Sequence, residues 1–195
     1  MNVLFLDIDG VLNSESDFRF PDGRRKQKAP RLHLQTCDVY NGIAQPKVKR
    51  LRRIVDATGA KIVLISSWKA WYEESLFRKR RNAVASYLVR SLAAKGLEIH
   101  STTLGFEDNE YQRAEGILNW IADHDLSHPD DPVEGIAILD DEDFGYDESG
   151  LGHLWVKTHY HGLDPNESGL SDDKADEAIE LINNKEKPRT RRERY

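Results

Sequence analysis

Several features that define whole classes of protein are missing from this sequence. Its 195 residues include a single cysteine, Cys37, which excludes an internal disulfide and a cysteine-based zinc site. No apolar run approaches the roughly 18–20 residues that cross a membrane. Asp7 interrupts the N-terminal apolar run, so we expect no signal peptide. A cytoplasmic protein of one domain is the class that remains.

Charge is abundant and is separated by sign along the chain. Asp and Glu number 34 against 28 Lys and Arg. Residues 19–53 contain eleven basic and two acidic side chains, residues 123–148 contain eleven acidic and no Lys or Arg, and residues 185–195 contain six basic and two acidic. Such blocks are usually solvated faces or tails, but a basic face can also bind phosphate groups.

Apolar runs alternate with helical patterns along most of the chain. Three runs predict buried strands, at Val3–Leu6, Lys61–Ile65 and Gly135–Leu139, and weaker strands are expected at 97–99 and 154–156. Helices are expected from Pro46 to Gly59, over 73–95, over 113–124 and after the N-capping Ser171. This alternation predicts an α/β fold of three layers, a Rossmannoid parallel sheet flanked by helices.

Residues 14–45 interrupt the alternation. The stretch is polar and basic, with two prolines, two glycines and little periodicity, which predicts an irregular insertion such as a hairpin or a flap. We therefore expect one domain over 1–184 that carries this minimal cap-like insertion, followed by a basic, mobile tail over 185–195.

Each strong strand ends in polar residues. The pairs are Asp7 and Asp9, Ser66 and Ser67, and Asp140 and Asp141. Because ligands bind at the carboxyl ends of the strands in open α/β sheets, we expect the three pairs to converge on one crevice. Gathered carboxylates repel one another unless a cation lies between them, and oxygen ligands without His or Cys favour Mg²⁺.

The motifs resemble those of the haloacid dehalogenase-like (HAD) phosphohydrolases. Asp7–Asn13 is similar to the first motif of that superfamily, Ser66 to its second and Asp140-Asp141 to its fourth. Within the superfamily the chain most resembles the HAD domain of Swiss-army-knife RNA repair proteins. The features that indicate this branch are Ser66-Ser67-Trp68, Arg113 with Ile117 and Trp120 on one helix, and Ile138–Asp141. The resemblance spans residues 1 to about 183.

The resemblance implies a role for each carboxylate. Asp7 would attack phosphorus as the nucleophile and form an aspartyl phosphate. Asp9 would protonate the leaving oxygen and then activate water. Asp141 and Asp140 would hold Mg²⁺ beside the Asp7 carboxylate and the Asp9 carbonyl. Gly10 would let the backbone turn close to the ligand.

The same resemblance implies a set of phosphate-binding groups. Ser66, with Ser67 beside it, would donate hydrogen bonds to phosphoryl oxygens. The third motif of the superfamily usually supplies a lysine, and the cation in the corresponding place here is Arg113, whose fork of donors suits phosphate. Lys61 and Lys95 are alternatives for that role.

Other conspicuous side chains have plainer interpretations. Trp68 and Trp71 are expected to be core or groove-lining aromatics rather than platforms for stacked bases. Cys37 has no His-Asp pattern around it, so we expect an ordinary thiol and not a nucleophile.

The expected partner is a phosphorylated substrate, and its size stays open. Residues 14–45 are too few for a full helical cap, and an open site favours a large substrate such as a polynucleotide end or a phosphoprotein. The basic stretch 19–53 and the run Arg78–Arg81 would then guide a polyanion. The alternatives are a nucleotide or other small-molecule phosphatase, a non-catalytic module that binds nucleic acid, and a metal nuclease that uses the same carboxylates.

Overall fold

A five-stranded parallel sheet forms the centre of the fold. A computed structural model describes residues 1–26, 31–33, 39–77, 82–103 and 112–188. The strands are β1 Asn2–Leu6, β2 Arg31–His33, β3 Val39–Asn41, β4 Lys61–Leu64, β5 Ile99–Thr102, β6 Gly135–Asp140 and β7 Trp155–Lys157. The sheet has the order β5-β4-β1-β6-β7, while β2 and β3 form a separate antiparallel pair.

Helices cover both faces of the sheet. They are α1 Glu15–Phe18, α2 Gln45–Thr58, α3 Lys69–Phe77, α4 Ala83–Ala93, α5 Gln112–Ser127 and α6 Asp172–Asn183. Buried residues of α2, α4 and α6 pack into one hydrophobic cluster, and those of α5 pack into a second cluster. The three-layer Rossmannoid α/β fold expected from the sequence is confirmed.

Strand β1 connects the two hydrophobic clusters because it is buried on both faces. Leu4 and Leu6 belong to the cluster with α2, α4 and α6, whereas Val3 and Phe5 belong to the cluster with α5, and all four are fully buried. This alternation follows from the two-residue repeat of a strand. A strand buried on both faces needs a continuous apolar run, which is why the sequence showed it clearly.

The three central strands end side by side. Leu6 pairs with Leu64 of β4 and with Leu139 of β6, both in parallel register. The residues that follow these three positions therefore emerge together at the carboxyl edge of the sheet, where open α/β sheets bind their ligands.

The prediction of a single helix over 73–95 is wrong. Two helices are present instead, α3 and α4, and residues 78–81 between them lie outside the described chain. The Asn82 side chain accepts hydrogen bonds from the backbone N–H groups of Val84 and Ala85, so it caps a new helix start. The apolar pattern over 73–95 gave no sign of the break before Asn82, so the sequence predicted one helix.

The weaker strands are displaced from their expected positions. Strand β5 covers Ile99–Thr102 rather than 97–99, because its pairing with β4 begins at Ile99 opposite Ile62. Leu154 ends a 3₁₀ turn, so β7 begins one residue later, at Trp155. Short edge strands carry too few apolar residues for their ends to be fixed by periodicity.

The described part of residues 14–45 contains α1 and the antiparallel pair β2–β3. Its first turn is anchored by Lys47 of α2, which is buried and forms an ion pair with Asp17. Within the described residues, no helix combines the length and the apolar character that a membrane span needs.

Candidate active site

Three carboxylates meet at the carboxyl edge of the sheet. Asp7 follows β1, Asp140 ends β6 and Asp141 comes next. One carboxylate oxygen from each lies within 4.8 Å of the others. The backbone N–H of Asp7 donates to the carbonyl of Leu139 at 2.9 Å, which extends the pairing of β1 with β6 and brings the acidic groups together.

Asp7 is a buried carboxyl group with charged neighbours. Its exposed fraction is 5%. Burial raises the pKa of Asp7 well above its usual value, and the nearby Asp140 raises it further. The Arg113 guanidinium, 3.4 Å away, and a hydrogen bond from the Ser66 hydroxyl act in the opposite direction. The ionised form that a nucleophile needs therefore depends on cationic neighbours.

Asp140 is fully buried and accepts hydrogen bonds from three donors. Its Oδ2 accepts hydrogen bonds from Arg113 Nη1 at 2.6 Å and from Tyr146 Oη at 2.7 Å. Its Oδ1 accepts the backbone N–H of Glu142 at 3.2 Å. Burial raises the pKa of Asp140, and Arg113 partly offsets that effect. Burial likewise raises the pKa of Tyr146, with Asp140 as the second cause, so Tyr146 acts as a hydrogen-bond donor here.

Arg113 lies in the first turn of α5 and joins two of the carboxylates. It contacts Asp140 at 2.6 Å and Asp7 at 3.4 Å. Burial lowers the pKa of Arg113, but the two carboxylates outweigh burial and raise it overall, so the cation is permanent. The alternative cations lie elsewhere, since Lys61 begins β4 at the other end of the sheet and Lys95 follows α4.

Asp141 lies over the turn that follows β1. Gly10 in this turn has φ +72°, and a Cβ there would lie only 2.1 Å from Asp141 Cγ. The absence of a side chain at Gly10 therefore makes room for the carboxylate. Burial, then Asp140 and Glu142, raise the pKa of Asp141 to about 6.

Asp9 lies apart from the other three carboxylates and is held by two donors. Its Oδ1 accepts from Asn13 Nδ2 at 2.7 Å, and its Oδ2 accepts from Trp68 Nε1 at 2.8 Å. Asn13 also accepts the backbone N–H of Gly10 at 3.1 Å. The Asp9 side chain is exposed and lines the cavity described below.

The two serines after β4 have different surroundings. Ser66 is buried, lies close enough to Asp7 to lower the pKa of that carboxyl, and accepts the backbone N–H of Trp68 at 3.4 Å. Ser67 is exposed and lines the cavity. Ser67 is thus the more accessible of the two hydroxyls.

A cavity of about 610 Å³ opens above these groups. Its lining combines the acidic residues with basic and aromatic ones: Asp7, Asp9, Ser67, Arg113, Asp141, Glu142, Phe144, Lys157, His159, Tyr160 and His161. The Arg113 guanidinium carbon lies 3.6 Å from the centre of the Phe144 ring, so one wall of the cavity is a stacked cation and ring.

Sequence reasoning missed part of this lining. Lys157, His159, Tyr160 and His161 end or follow β7, which is the neighbour of β6 in the sheet. The rule that placed the other strand ends at the crevice would have found them if it had been applied to the weak strand at 154–156. No sequence signal marks Tyr146, whose contact with Asp140 depends on how the loop after β6 folds back.

The parallel Rossmannoid sheet and the acidic groups at its carboxyl edge are the features of the HAD superfamily. Residues 3–174 match the family described as "HAD domain in Swiss Army Knife RNA repair proteins". The chain therefore belongs to this family, and with it to the HAD-type phosphohydrolases. A search among curated proteins and a search among solved structures each found no significant match.

Proposed function

We propose that this protein is a Mg²⁺-dependent phosphomonoesterase that works through an aspartyl phosphate on Asp7. The observation that carries the proposal is the buried Asp7 carboxylate, which faces the cavity with Arg113 at 3.4 Å and with oxygens of Asp140 and Asp141 within 4.8 Å. A nucleophile, a permanent cation and a group of oxygen ligands are the elements that attack on an anionic phosphate needs.

The donor set fits Mg²⁺. Among the described residues, the group around Asp7 offers carboxylate oxygens alone, with no His or Cys, and such hard ligands suit Mg²⁺. Burial raises the pKa values of Asp7, Asp140 and Asp141, and neighbouring carboxylates raise those of Asp7 and Asp141 further. A bound divalent cation would favour the ionised form of all three groups. When bound, it would supply electrostatic stabilisation of the charge on the phosphoryl group.

Two successive displacements at phosphorus would complete the reaction. An Asp7 carboxylate oxygen forms a bond to phosphorus while the bond to the leaving oxygen breaks, and Asp9 gives that oxygen its proton. Water then attacks the phosphorus of the aspartyl phosphate and gives a proton to Asp9. Inorganic phosphate leaves, and the Asp7 carboxylate is regenerated.

Phosphate oxygens would be held by two kinds of donor. The Arg113 guanidinium and the hydroxyls of Ser66 and Ser67 would bind them. The conformation of Gly10 would keep the turn close to the phosphoryl group.

The hydrogen bonds support different tasks for Asp140 and Asp141. The two side chains that donate to Asp140, Arg113 and Tyr146, both bind its Oδ2. We therefore assign Asp140 primarily to holding Arg113 in place. Asp141 makes no comparable contact with Arg113 or Tyr146 and is the group we assign as the direct ligand from this strand. The Asp7 carboxylate and the Asp9 carbonyl would complete the ligands from the protein.

Polynucleotide ends are the substrate class we favour. The family is named for RNA repair proteins, and the described part of residues 14–45 adds only α1 and a short hairpin rather than a folded cap. Lys157, His159 and His161 line the cavity and would meet the chain beyond the terminal phosphate.

One observation favours the alternative, a phosphatase for nucleotides or other small molecules. Much of the basic stretch 19–53 is neutralised within the protein by ion pairs. These join Arg24 to Asp22, Lys47 to Asp17, Arg50 to Asp172, Arg52 to Asp56 and Arg53 to Asp176. The run Arg78–Arg81, expected to extend a basic track, lies outside the described residues. Fewer cations thus remain for a polyanion than the sequence count indicated.

A substrate panel tests the proposal. Inorganic phosphate release would be measured with Mg²⁺ or EDTA on oligonucleotides phosphorylated at the 3′ or 5′ end, mononucleotides, phosphopeptides and aryl phosphates. We expect Mg²⁺-dependent release, greatest on oligonucleotide ends and abolished by Asp7→Asn. Preference for mononucleotides would support the alternative. Cleavage within the oligonucleotide, or no turnover together with salt-sensitive oligonucleotide binding, would overturn phosphatase function.

A further inference from the structure

The buried indole of Trp68 makes a polar contact where the core meets the cavity. Trp68 is 2% exposed and packs edge-to-face against Trp71, with 5.8 Å between ring centroids and 79° between planes. Its Nε1–H nevertheless points at the site and donates to Asp9 Oδ2 at 2.8 Å. Because the surrounding core fixes the ring, the position of this donor is fixed as well.

The contact completes a pair of donors on the Asp9 carboxylate. Asn13 Nδ2 bonds one oxygen at 2.7 Å and Trp68 Nε1 bonds the other at 2.8 Å. A carboxylate torsion is otherwise broad and soft. With one donor on each oxygen the plane of the group is set, while each oxygen keeps acceptor capacity on the side of the cavity.

We propose that Trp68 is a positioning residue whose indole N–H orients the Asp9 carboxyl group for proton transfer to the leaving oxygen. The inference rests on the proposed function and adds a residue to it. Trp68 is a more informative target than Asn13, because Asn13 also binds the backbone N–H of Gly10 and its removal would disturb the turn itself.

Leaving groups of different basicity reveal this role. An alkyl alcohol is expelled as an alkoxide unless it is protonated, whereas p-nitrophenolate leaves without a proton. If the Asp9 carboxyl group loses its orientation, hydrolysis of alkyl phosphates should therefore slow more than hydrolysis of p-nitrophenyl phosphate. In Trp68→Phe we expect kcat/KM for an alkyl phosphate to fall roughly 10- to 100-fold, while kcat/KM for p-nitrophenyl phosphate falls less than about threefold.

Matched variants separate orientation from packing. Trp71→Phe removes an indole N–H from the ring next to Trp68, and we expect it to leave the ratio of alkyl to aryl kcat/KM unchanged. Asp9→Asn is expected to shift that ratio in the same direction as Trp68→Phe. If Trp68→Phe does not fold, replacement of Trp68 by benzothienylalanine keeps the bicyclic ring and substitutes sulfur for the N–H group.

The outcomes distinguish this inference from the proposed function. A selective loss on the alkyl phosphate in the Trp68 variants supports the positioning role. An equal loss on both substrates, or no loss on either, overturns it while leaving the phosphatase proposal intact. If the wild-type protein hydrolyses neither class of phosphate with Mg²⁺, the proposed function fails, and the positioning role falls with it.

Discussion

At the scale of single residues, burial of like charges dominates the chemistry of the site. Asp7 and Asp140 are 5% and 0% exposed, and Asp141 is partly buried beside them. Their pKa values are all raised, with burial as the first cause. Among the described residues, Arg113 is the one cation that forms ion pairs with these carboxylates. The folded protein therefore contains a local electrostatic strain that a divalent cation would remove.

The pKa of Asp141 makes the stability of the metal-free protein depend on pH. Its folded pKa of about 6 lies above the usual 3.8, so between these values the folded state binds more protons than the unfolded state. The contribution of Asp141 therefore becomes destabilising as pH rises through this window. Between pH 4 and pH 7, the free energy of unfolding of Asp141→Asn should rise by about 1 kcal/mol relative to that of the wild-type protein. This figure allows for solvent screening.

Urea unfolding in EDTA at several pH values between 4 and 7.5 measures this difference. With Mg²⁺ present, wild type should gain stability and Asp141→Asn should not. A difference between the two proteins that does not vary with pH would contradict the electrostatic account.

We expect the charge and the shape of Arg113 to contribute separately to the proposed binding of phosphate. Arg113→Ala removes both and should lower kcat/KM by roughly 10²–10³-fold, the range for loss of one electrostatic donor. Arg113→Lys keeps the charge but loses the fork of donors, so its activity should lie between those of wild type and the Ala variant. Steady-state kinetics on p-nitrophenyl phosphate measure both. Equal activity of the Lys and Ala variants would contradict a separate contribution of the charge.

At the scale of elements, the three central strands and the residues at their carboxyl ends were predictable, whereas contacts that involve the loops were not. A strand buried on both faces must be apolar throughout, and this pattern located β1, β4 and β6. The polar residues at the ends of these strands, Asp7, Ser66 and Asp140, were located with them. The bond from Trp68 to Asp9 joins the turns after β4 and β1, and that from Tyr146 to Asp140 joins the loop after β6 to the last residue of that strand. No periodicity records such pairs, because they depend on the tertiary path of the chain.

The missed start of α4 has a physical basis that can be measured. The Asn82 side chain accepts from the N–H groups of Val84 and Ala85 at 2.9 and 3.3 Å. Asn82→Ala should lower the free energy of unfolding by about 1 kcal/mol. Asn119→Ala, on the exposed face of α5, is the control and should change it by less than about 0.5 kcal/mol. Equal effects in urea unfolding would argue against the cap.

At the scale of the whole molecule, the distribution of charge matters more than its sum. The net charge of −6 argues against a polyanionic partner, and the basic stretch 19–53 argues for one. Ion pairs of that stretch with Asp17, Asp56 and Asp172 reduce the number of cations that are available to such a partner. What remains beside the site is the small group Lys157, His159 and His161.

Salt dependence tests whether this group contacts a polynucleotide. We expect kcat/KM for an end-phosphorylated oligonucleotide to fall more steeply with salt than kcat/KM for a mononucleotide, because additional phosphates release counterions. Lys157→Gln should reduce the slope for the oligonucleotide by roughly one unit. Identical slopes for the two substrates would indicate that the protein contacts only the terminal phosphate.

The account depends most on covalent catalysis by Asp7, and chemical trapping tests that directly. The protein would be mixed with substrate and Mg²⁺, quenched in acid within milliseconds and reduced with borohydride, which converts an aspartyl phosphate to homoserine. Peptide mass spectrometry should then find homoserine at position 7 in the wild-type protein, and none without substrate or in Asp7→Asn. Substrate turnover with no trapped residue at position 7, or with the modification at another carboxylate, would contradict the account.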